Sequence, residues 1–546
     1  MARALSVLIL LALFSVPRRL PAADAAAVDR FGLFEVELQA QGACANPYTD
    51  LTGEVTITPP EGRARSALLF WDGRDQWKLR VSPDLPGTWK WSVKSRDAGL
   101  DGKSGSFQCV AAQRKGSIRP MAGHPLHFER QDGTPFWFLG DTAWALFTDS
   151  PAEKLDRAAA LAYLDARAGQ GFNVVHSMLL SEAGWGNQGG QPFDDLAAEK
   201  LNPGYWQEAD LRLAHANSRG IVCGLALAWG DKGRGEPYAW RKFRDAEARR
   251  RYARYIAARY SAFDTYFLLS GEWHAEIRSR QSDEETVRQE FIDLGNVLHQ
   301  ADPHRRMIGI HPMTSQGSVR EFARAEWMAF GDYQQNYVDL HGRILQSRAR
   351  NKPVVNAEYG YLLRDQSGDG VPDKDNSTSL AAMRHATWDI AMAGGYLVTG
   401  FGTTYFGGNR DPGPFDLAAA KNKPWEEQIG RVKSIFGELP WPQLAPHDEL
   451  LACPTPRGAE GKEFGRTIPP PTAYWCLADP GKSYLVYFRG LKTPLTLTLP
   501  KDTPLPATQI NPRTGERLAL GRAIDRFEIR PPDDQDWVIV LAQSAN

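Results

Sequence analysis

Two glutamates stand at the ends of apolar runs, in settings that suit proton transfer and nucleophilic attack. They are Glu272 in Ser270-Gly271-Glu272-Trp273-His274 and Glu358 in Asn356-Ala357-Glu358-Tyr359-Gly360-Tyr361. Cleaving an acetal between sugars with retention takes one carboxylic acid to protonate the leaving oxygen and one carboxylate to attack the anomeric carbon, about 5 to 5.5 Å apart. For either glutamate alone the competing reading is an ion pair with a structural role. Two of them at the right pair of strand ends weaken that reading.

Those strand ends come from the rhythm of the chain. After Arg119, apolar runs alternate with helix-like stretches, the pattern of a parallel sheet with crossover helices. The runs are Phe136 to Leu139, Val174 to Leu180, Ile221 to Trp229, Tyr266 to Ser270, Met307 to His311, Trp327 to Tyr333, Val354 to Glu358 and Tyr396 to Phe401. Between them lie helices expected at Pro151 to Gly169, Tyr205 to Ser218, Trp240 to Tyr260, Glu284 to His299, Val319 to Ala325, Leu340 to Ala349, Leu380 to Ala393 and Pro424 to Phe436. Eight such units specify a (β/α)8 TIM barrel, whose C-terminal strand ends form the active face. Glu272 then follows strand four and Glu358 strand seven, across the mouth from one another.

The same face collects the other polar and aromatic candidates. Asp141 either binds a sugar hydroxyl or holds a neighbouring side chain at the barrel floor, with a catalytic acid as a third reading. His176 and His311 are subsite donors or satisfied core histidines. His274 follows Glu272 directly. Trp144, Trp229, Trp273, Tyr333, Tyr359 and Tyr405 are the residues for a stacking platform, although Tyr359 could instead pack beneath Glu358. Asp365, Asp369 and Asp373 alternate as calcium-loop ligands do, with Gly370 at the turn, but the twelfth position is Asn376 where a bidentate Glu belongs. A solvated acidic loop is the alternative to calcium, and no other cofactor is expected.

The flanks read as β-rich. Residues 26–114 carry short strands such as Glu54 to Thr58, Ser66 to Trp71, Trp77 to Val81 and Thr88 to Val93, expected as an immunoglobulin-like sandwich, although such runs could equally close into a small β-barrel; residues 115–444 hold the (β/α)8 barrel, and 445–546 return to strands in a second sandwich. Lys+Arg 64 against Asp+Glu 65 leaves no field to hold nucleic acid or an anionic membrane. Arg3, the apolar stretch Ala4 to Val16 and Ala23-Asp24-Ala25 read as a signal peptide over residues 1–25, which implies a secreted or periplasmic protein with no membrane span. In an exported chain the five cysteines suggest two disulfides, Cys44 with Cys109 and Cys453 with Cys476, leaving Cys223 free and buried.

Phe138-Leu139-Gly140-Asp141-Thr142-Ala143-Trp144, Gly171-Phe172-Asn173-Val174-Val175 and Trp229-Gly230-Asp231-Lys232 together resemble the barrel motifs of the apiosidase-like glycoside hydrolases. The resemblance implies a design similar to the clan A retaining glycosidases, with acid/base after strand four and nucleophile after strand seven. It also implies an N-terminal sandwich and a C-terminal sandwich similar to collagen-binding-type domains. Two positions depart from the pattern: Glu272 stands where these relatives carry an aspartate after Gly-Gly, and Gly271 where clan A carries an Asn. The expected activity is hydrolysis of plant or algal oligo- and polysaccharides. The alternatives are a glycan-binding barrel without catalysis and a polysaccharide lyase.

Overall fold

The computed structural model describes residues 27–543 apart from 152–153, 234, 281–282, 314–315, 319, 335–337, 366–370, 375–376, 400–416 and 418–421. Residues 1–25, read from the sequence as a signal peptide, and Tyr405 and Asp369 therefore lie outside the described residues.

Eight parallel strands form the central sheet: β1 (Leu139–Thr142), β2 (Val174–Met178), β3 (Val222–Ala226), β4 (Thr265–Leu268), β5 (Ile308–Gly309), β6 (Gly331–Gln334), β7 (Val354–Asn356) and β8 (Tyr396–Thr399). Each pairs with its sequence neighbour except β5 with β6, and β8 returns to β1, so the sheet curls into a nearly closed barrel. The seam between β5 and β6 is closed by a parallel bridge from Ile308 to Met328. Every residue of β2 and β3 is buried, as a strand covered on both faces requires. Phe128, from the hairpin Ile118–Met121 and His124–Arg130, packs tilted or edge-on against Phe138, Phe330 and Tyr396 and plugs the barrel's lower end.

The surrounding helices start where short polar side chains can satisfy free N–H groups. Asp156, Asn202, Asp245, Asp283 and Ser379 cap α1 (Arg157–Gly169), α2 (Pro203–Ser218), α3 (Ala246–Tyr260), α5 (Glu284–Ala301) and α7 (Leu380–Met392). α4 (His274–Arg280) follows Glu272, α6 (Leu340–Arg348) follows β6, and α8 (Asn422–Phe436) follows β8. In α5, Val287, Phe291, Leu294 and Leu298 are buried at the spacing of one helix face. The helix expected over Val319 to Ala325 is absent among the described residues, where the chain runs through turns instead.

β1 begins three residues later than the apolar run suggested, which places Asp141 inside the ladder. There it accepts bonds from Arg167 Nε at 2.6 Å and Tyr163 Oη at 2.9 Å, both from α1, and from Thr399 Oγ1 of β8 at 2.5 Å. This carboxylate ties the first strand to its helix and to the last strand.

Both flanks are β-sandwiches. The N-terminal one sets a five-stranded sheet against a three-stranded sheet around Trp77, Trp89 and Phe107. It docks on α2 and α3 through Arg80, which reaches Asp210 at 2.6 Å, and through Asp72, which Arg259 meets at 2.9 Å. The C-terminal one sets six strands against three and clamps α7. Arg384 donates twice to Asp536, at 2.7 and 2.9 Å, and Arg489 twice to Asp389, at 2.6 and 2.8 Å, while Trp388 stacks on Tyr487.

Neither expected disulfide forms; all five cysteines are free thiols. Cys109 pairs with Gly87 at one end of the hairpin Gly87–Ser95 and Ser104–Val110. Cys44 lies near Asp97 at the hairpin's turn, about 20 Å away at the rise of an extended strand. Cys453 follows a strand of the smaller C-terminal sheet and turns to Thr493 at 3.7 Å, while Cys476 lies in the larger, facing sheet. Cys223 is buried in β3.

Replacing Arg167 with Ala strands the Asp141 carboxylate in a fully buried position. The expected loss is about 3–5 kcal/mol, read as an earlier urea transition, and an unchanged midpoint would contradict the role given to the pair.

Candidate active site

The carboxylates of Glu272 and Glu358 come to the mouth from opposite sides, and both face His311. That histidine follows β5, where its backbone N–H bonds Ser270 at 2.9 Å. Its Nδ1 lies 3.3 Å from Asp332 Oδ2 and its Nε2 3.4 Å from Glu358 Oε2. Burial opposes a charge on the imidazole, but the carboxylates of Asp332 and Glu358 outweigh it and push His311 up to about 10. Burial in turn raises Asp332, against the pull of His311. At neutral pH His311 is thus a cation wedged between two carboxyl groups.

Glu272 is more tightly held. Lys232 Nζ sits 2.5 Å from its Oε2, Trp229 Nε1 donates to the same oxygen at 3.1 Å, and Gln334 Nε2 donates to Oε1 at 3.1 Å. Burial pushes this carboxyl up, yet Lys232 and the indole N–H more than offset that and leave it below the usual glutamate value. Lys232 also reaches Glu182, which follows β2, at 3.1 Å. Burial disfavours the ammonium, but the two glutamates raise it above an ordinary lysine.

The backbone around Glu272 is unusual. Its φ is 44°, in the left-handed region that non-glycine residues rarely occupy. The preceding residue must be glycine because the Trp229 indole fills the place a Cβ at Gly271 would take. Gly230 is constrained likewise by the Glu272 carbonyl. The departure from the clan A pattern thus has a steric cause: a flat indole lies where the Asn would stand.

The aromatic candidates divide. Trp144 and Trp229 meet edge to face at 4.9 Å and both lie within 6 Å of His311, but they are walled in and expose almost no ring face. Trp273 is buried against Phe322. Tyr333 bonds Ser347 of α6, and Tyr359 bonds Thr387 of α7 at 2.6 Å, so both point away from the mouth. His176 sits lower in the barrel, bonded to the Tyr266 hydroxyl, and burial holds it well below the usual histidine value. His274 is half-buried at the rim, accepts from the Met313 N–H at 3.4 Å, and burial lowers it to about 4.

Four residues of the site carry no role in the motif reading: Glu182, Lys232, Asp332 and Gln334. For two of them the signal is strand alternation. Side chains at 332 and 334 share one face of β6 and that at 333 takes the other, so Asp332 and Gln334 turn inward and Tyr333 outward. Asp373 donates its backbone N–H to the Arg364 carbonyl at 2.7 Å, and Asp365 leads into the acidic segment. Among the described residues no group of three or more His, Cys, Asp or Glu side chains is arranged to hold a metal ion, and no helix is long and apolar enough to cross a membrane.

The model of the apiosidase-like catalytic domain matches residues 124–434, the whole barrel with this cluster at its mouth. The chain belongs to the apiosidase-like family. A domain of unknown function, DUF5060, matches residues 27–96 of the N-terminal sandwich. Comparison with curated proteins finds no match. Among solved structures, a candidate glycoside hydrolase from Bacteroides vulgatus ATCC 8482 superposes with a TM-score of 0.74 at 17% identity, covering 95% of this chain and 99% of that one. A glycoside hydrolase family 5 structure from the same organism gives 0.62 at 18% identity, covering 79% of this chain and 94% of its own. The apiosidase-like chain therefore shares its barrel fold, and in the first case its flanking domains, with glycoside-hydrolase structures.

The charge on His311 makes stability depend on pH. Its unfolded value is about 6.5 and its folded value about 10. The stability it lends is therefore full below pH 6.5 and is lost as pH rises through 10. Against His311→Asn, the wild-type advantage in chemical unfolding should shrink steadily over that window. A difference independent of pH would count against a buried imidazolium.

Proposed function

We propose that this apiosidase-like protein is an exported retaining glycosidase acting on plant or algal oligo- and polysaccharides, with Glu272 as acid/base and Glu358 as nucleophile. The observation that carries the reading is the approach of these two carboxylates, from the ends of strands four and seven, to His311, with Lys232 as a second cation on Glu272. Family membership supports the reaction class, and the carbohydrate substrate follows from it.

In the first half-reaction Glu358 attacks the anomeric carbon while Glu272 gives its proton to the departing oxygen. His311, fixed by Asp332, holds the attacking carboxylate in place. In the second half-reaction Glu272, now a carboxylate, takes a proton from water as that water displaces Glu358. Gln334 and the Trp229 indole aim the Glu272 side chain throughout. Export rests on the reading of residues 1–25, and N-terminal sequencing of the secreted or periplasmic product should begin near Ala26.

The test is a panel of glycans and aryl glycosides with product stereochemistry followed by NMR. Glu358→Gln should lower kcat by at least about a thousandfold while binding persists. Glu272→Ala should lose turnover on poor leaving groups and regain it with azide on activated ones. Inverted product would exclude Glu358 as nucleophile, products with an absorbing double bond would point to a lyase, and binding without turnover would leave a glycan-binding barrel.

A further inference from the structure

The Glu272 carboxylate poses a problem that its neighbours answer. A general acid must carry a proton when the leaving oxygen departs, yet Lys232 at 2.5 Å stabilises the ionised form. The same ammonium lies 3.1 Å from Glu182, whose side chain is buried and whose position, after β2, lies to one side of the cluster. Lys232 therefore bridges two carboxylates, only one of which is placed to face Glu358 through His311.

We infer that Lys232 is a positioning residue with two seats, Glu272 and Glu182, and that moving its ammonium wholly onto Glu182 converts Glu272 from base to acid. This rests on the acid/base reading of Glu272.

The surroundings allow the side chain to move while the backbone stays. Asp231, next to Lys232, is pinned by the Gly233 N–H at 2.7 Å and by Arg241, and its own N–H donates to Glu276 at 2.9 Å. The Lys232 stem is a flexible four-carbon chain ending in a compact charge, unlike the planar fork of an arginine. Its Nζ stands 5.3 Å from the Trp229 ring centroid, so the indole offers a face along which the ammonium can swing between the two carboxylates without leaving a favourable field. Trp229 Nε1 and Gln334 Nε2 stay on Glu272 in either position and keep it aimed.

Proton accounting is simple. Lys232 keeps its three protons in both seats. When it leaves Glu272, the largest influence on that carboxyl is its burial, which favours the neutral form, and Glu272 takes one proton from solvent. That proton is the one given to the leaving oxygen. On return, Lys232 favours the carboxylate that activates water. Among the described residues, the ionisable groups facing Glu272 are Lys232 from the loop after β3, Glu182 behind it, His274 from α4 and His311 just after β5, with Asp332 and Glu358 beyond His311.

The experiment reads Glu272 directly. In full-length protein labelled with 13C at the glutamate carboxyls, the Glu272 signal is the one lost in Glu272→Gln, and its titration is followed with pH. Lys232→Met should move the midpoint up by about one pH unit or more, and Glu182→Gln should move it down, because Lys232 then has one seat. Lys232→Arg keeps the charge but replaces the mobile ammonium with a rigid fork, so it should hold the midpoint below wild type. Opposite shifts in Lys232→Met and Glu182→Gln support the inference; unchanged midpoints, or shifts of the same sign in those two, overturn it. Should Lys232→Met fail to fold, the downward shift in Glu182→Gln and the behaviour of Lys232→Arg still decide. Failure of the acid/base reading shows separately, as full turnover of Glu272→Ala on poor leaving groups.

Discussion

A carboxylate taken out of water must find a cation, and that requirement organises this molecule from its framework to its mouth. In the framework joints between strand and helix and between domains, arginine recurs as that cation. Arg167 meets Asp141 between β1 and α1, Arg80 and Arg259 share Asp210 where the N-terminal sandwich docks, and Arg384 and Arg489 meet Asp536 and Asp389 under the C-terminal one. Arginine stays charged at any physiological pH and grips a carboxylate with a rigid fork, so these joints have one state. At the mouth the cations are Lys232 and His311. One is a mobile point charge and the other a titratable ring. The barrel thus keeps its adjustable charges for its mouth.

Much of this was legible in the chain. Alternating apolar runs and amphipathic stretches after Arg119 specify the barrel, and counting strands is enough to set Glu272 and Glu358 on opposite sides of its mouth. What counting cannot supply is the direction of each side chain. Asp141 reads equally as a sugar-binding residue or as one that holds a neighbouring side chain at the barrel floor; its place inside the ladder, turned to Arg167, fits the second. The strand-six triplet needed its pleat parity before Asp332 and Gln334 could be told from Tyr333. Lys232 stands in plain view in its motif, but its two partners come from β2 and β4, and contacts that distant leave no local pattern. The cysteines mislead for a related reason, since spacing along the chain says nothing about which sheet, or which end of a hairpin, each thiol occupies.

Gly271 shows a departure from a family pattern becoming a constraint once packing is known. The Trp229 indole lies flat over Gly271 and donates to the next residue's carboxylate, so one ring both forbids a side chain at 271 and orients Glu272. The left-handed backbone at Glu272 belongs to the same local solution. Many of the tryptophans that a glycan-binding reading would assign to a platform are used in this way, as walls and props within the barrel.

The C-terminal sandwich does more than cover α7. Its Glu460 and Glu463 carboxylates accept the backbone N–H groups of Asp339 and Ser379, at 3.1 Å each, at the starts of α6 and α7. α6 follows β6, which bears Asp332 and Gln334, and α7 precedes β8, which closes the barrel; this domain adds a partner at both starts, and at α6 no side-chain cap from the barrel itself is present among the described residues. It is consequently a poor candidate for exchange between enzymes. A chimera that swapped it would have to import new helix starts as well, and the smallest portable unit of this protein is barrel and C-terminal sandwich together.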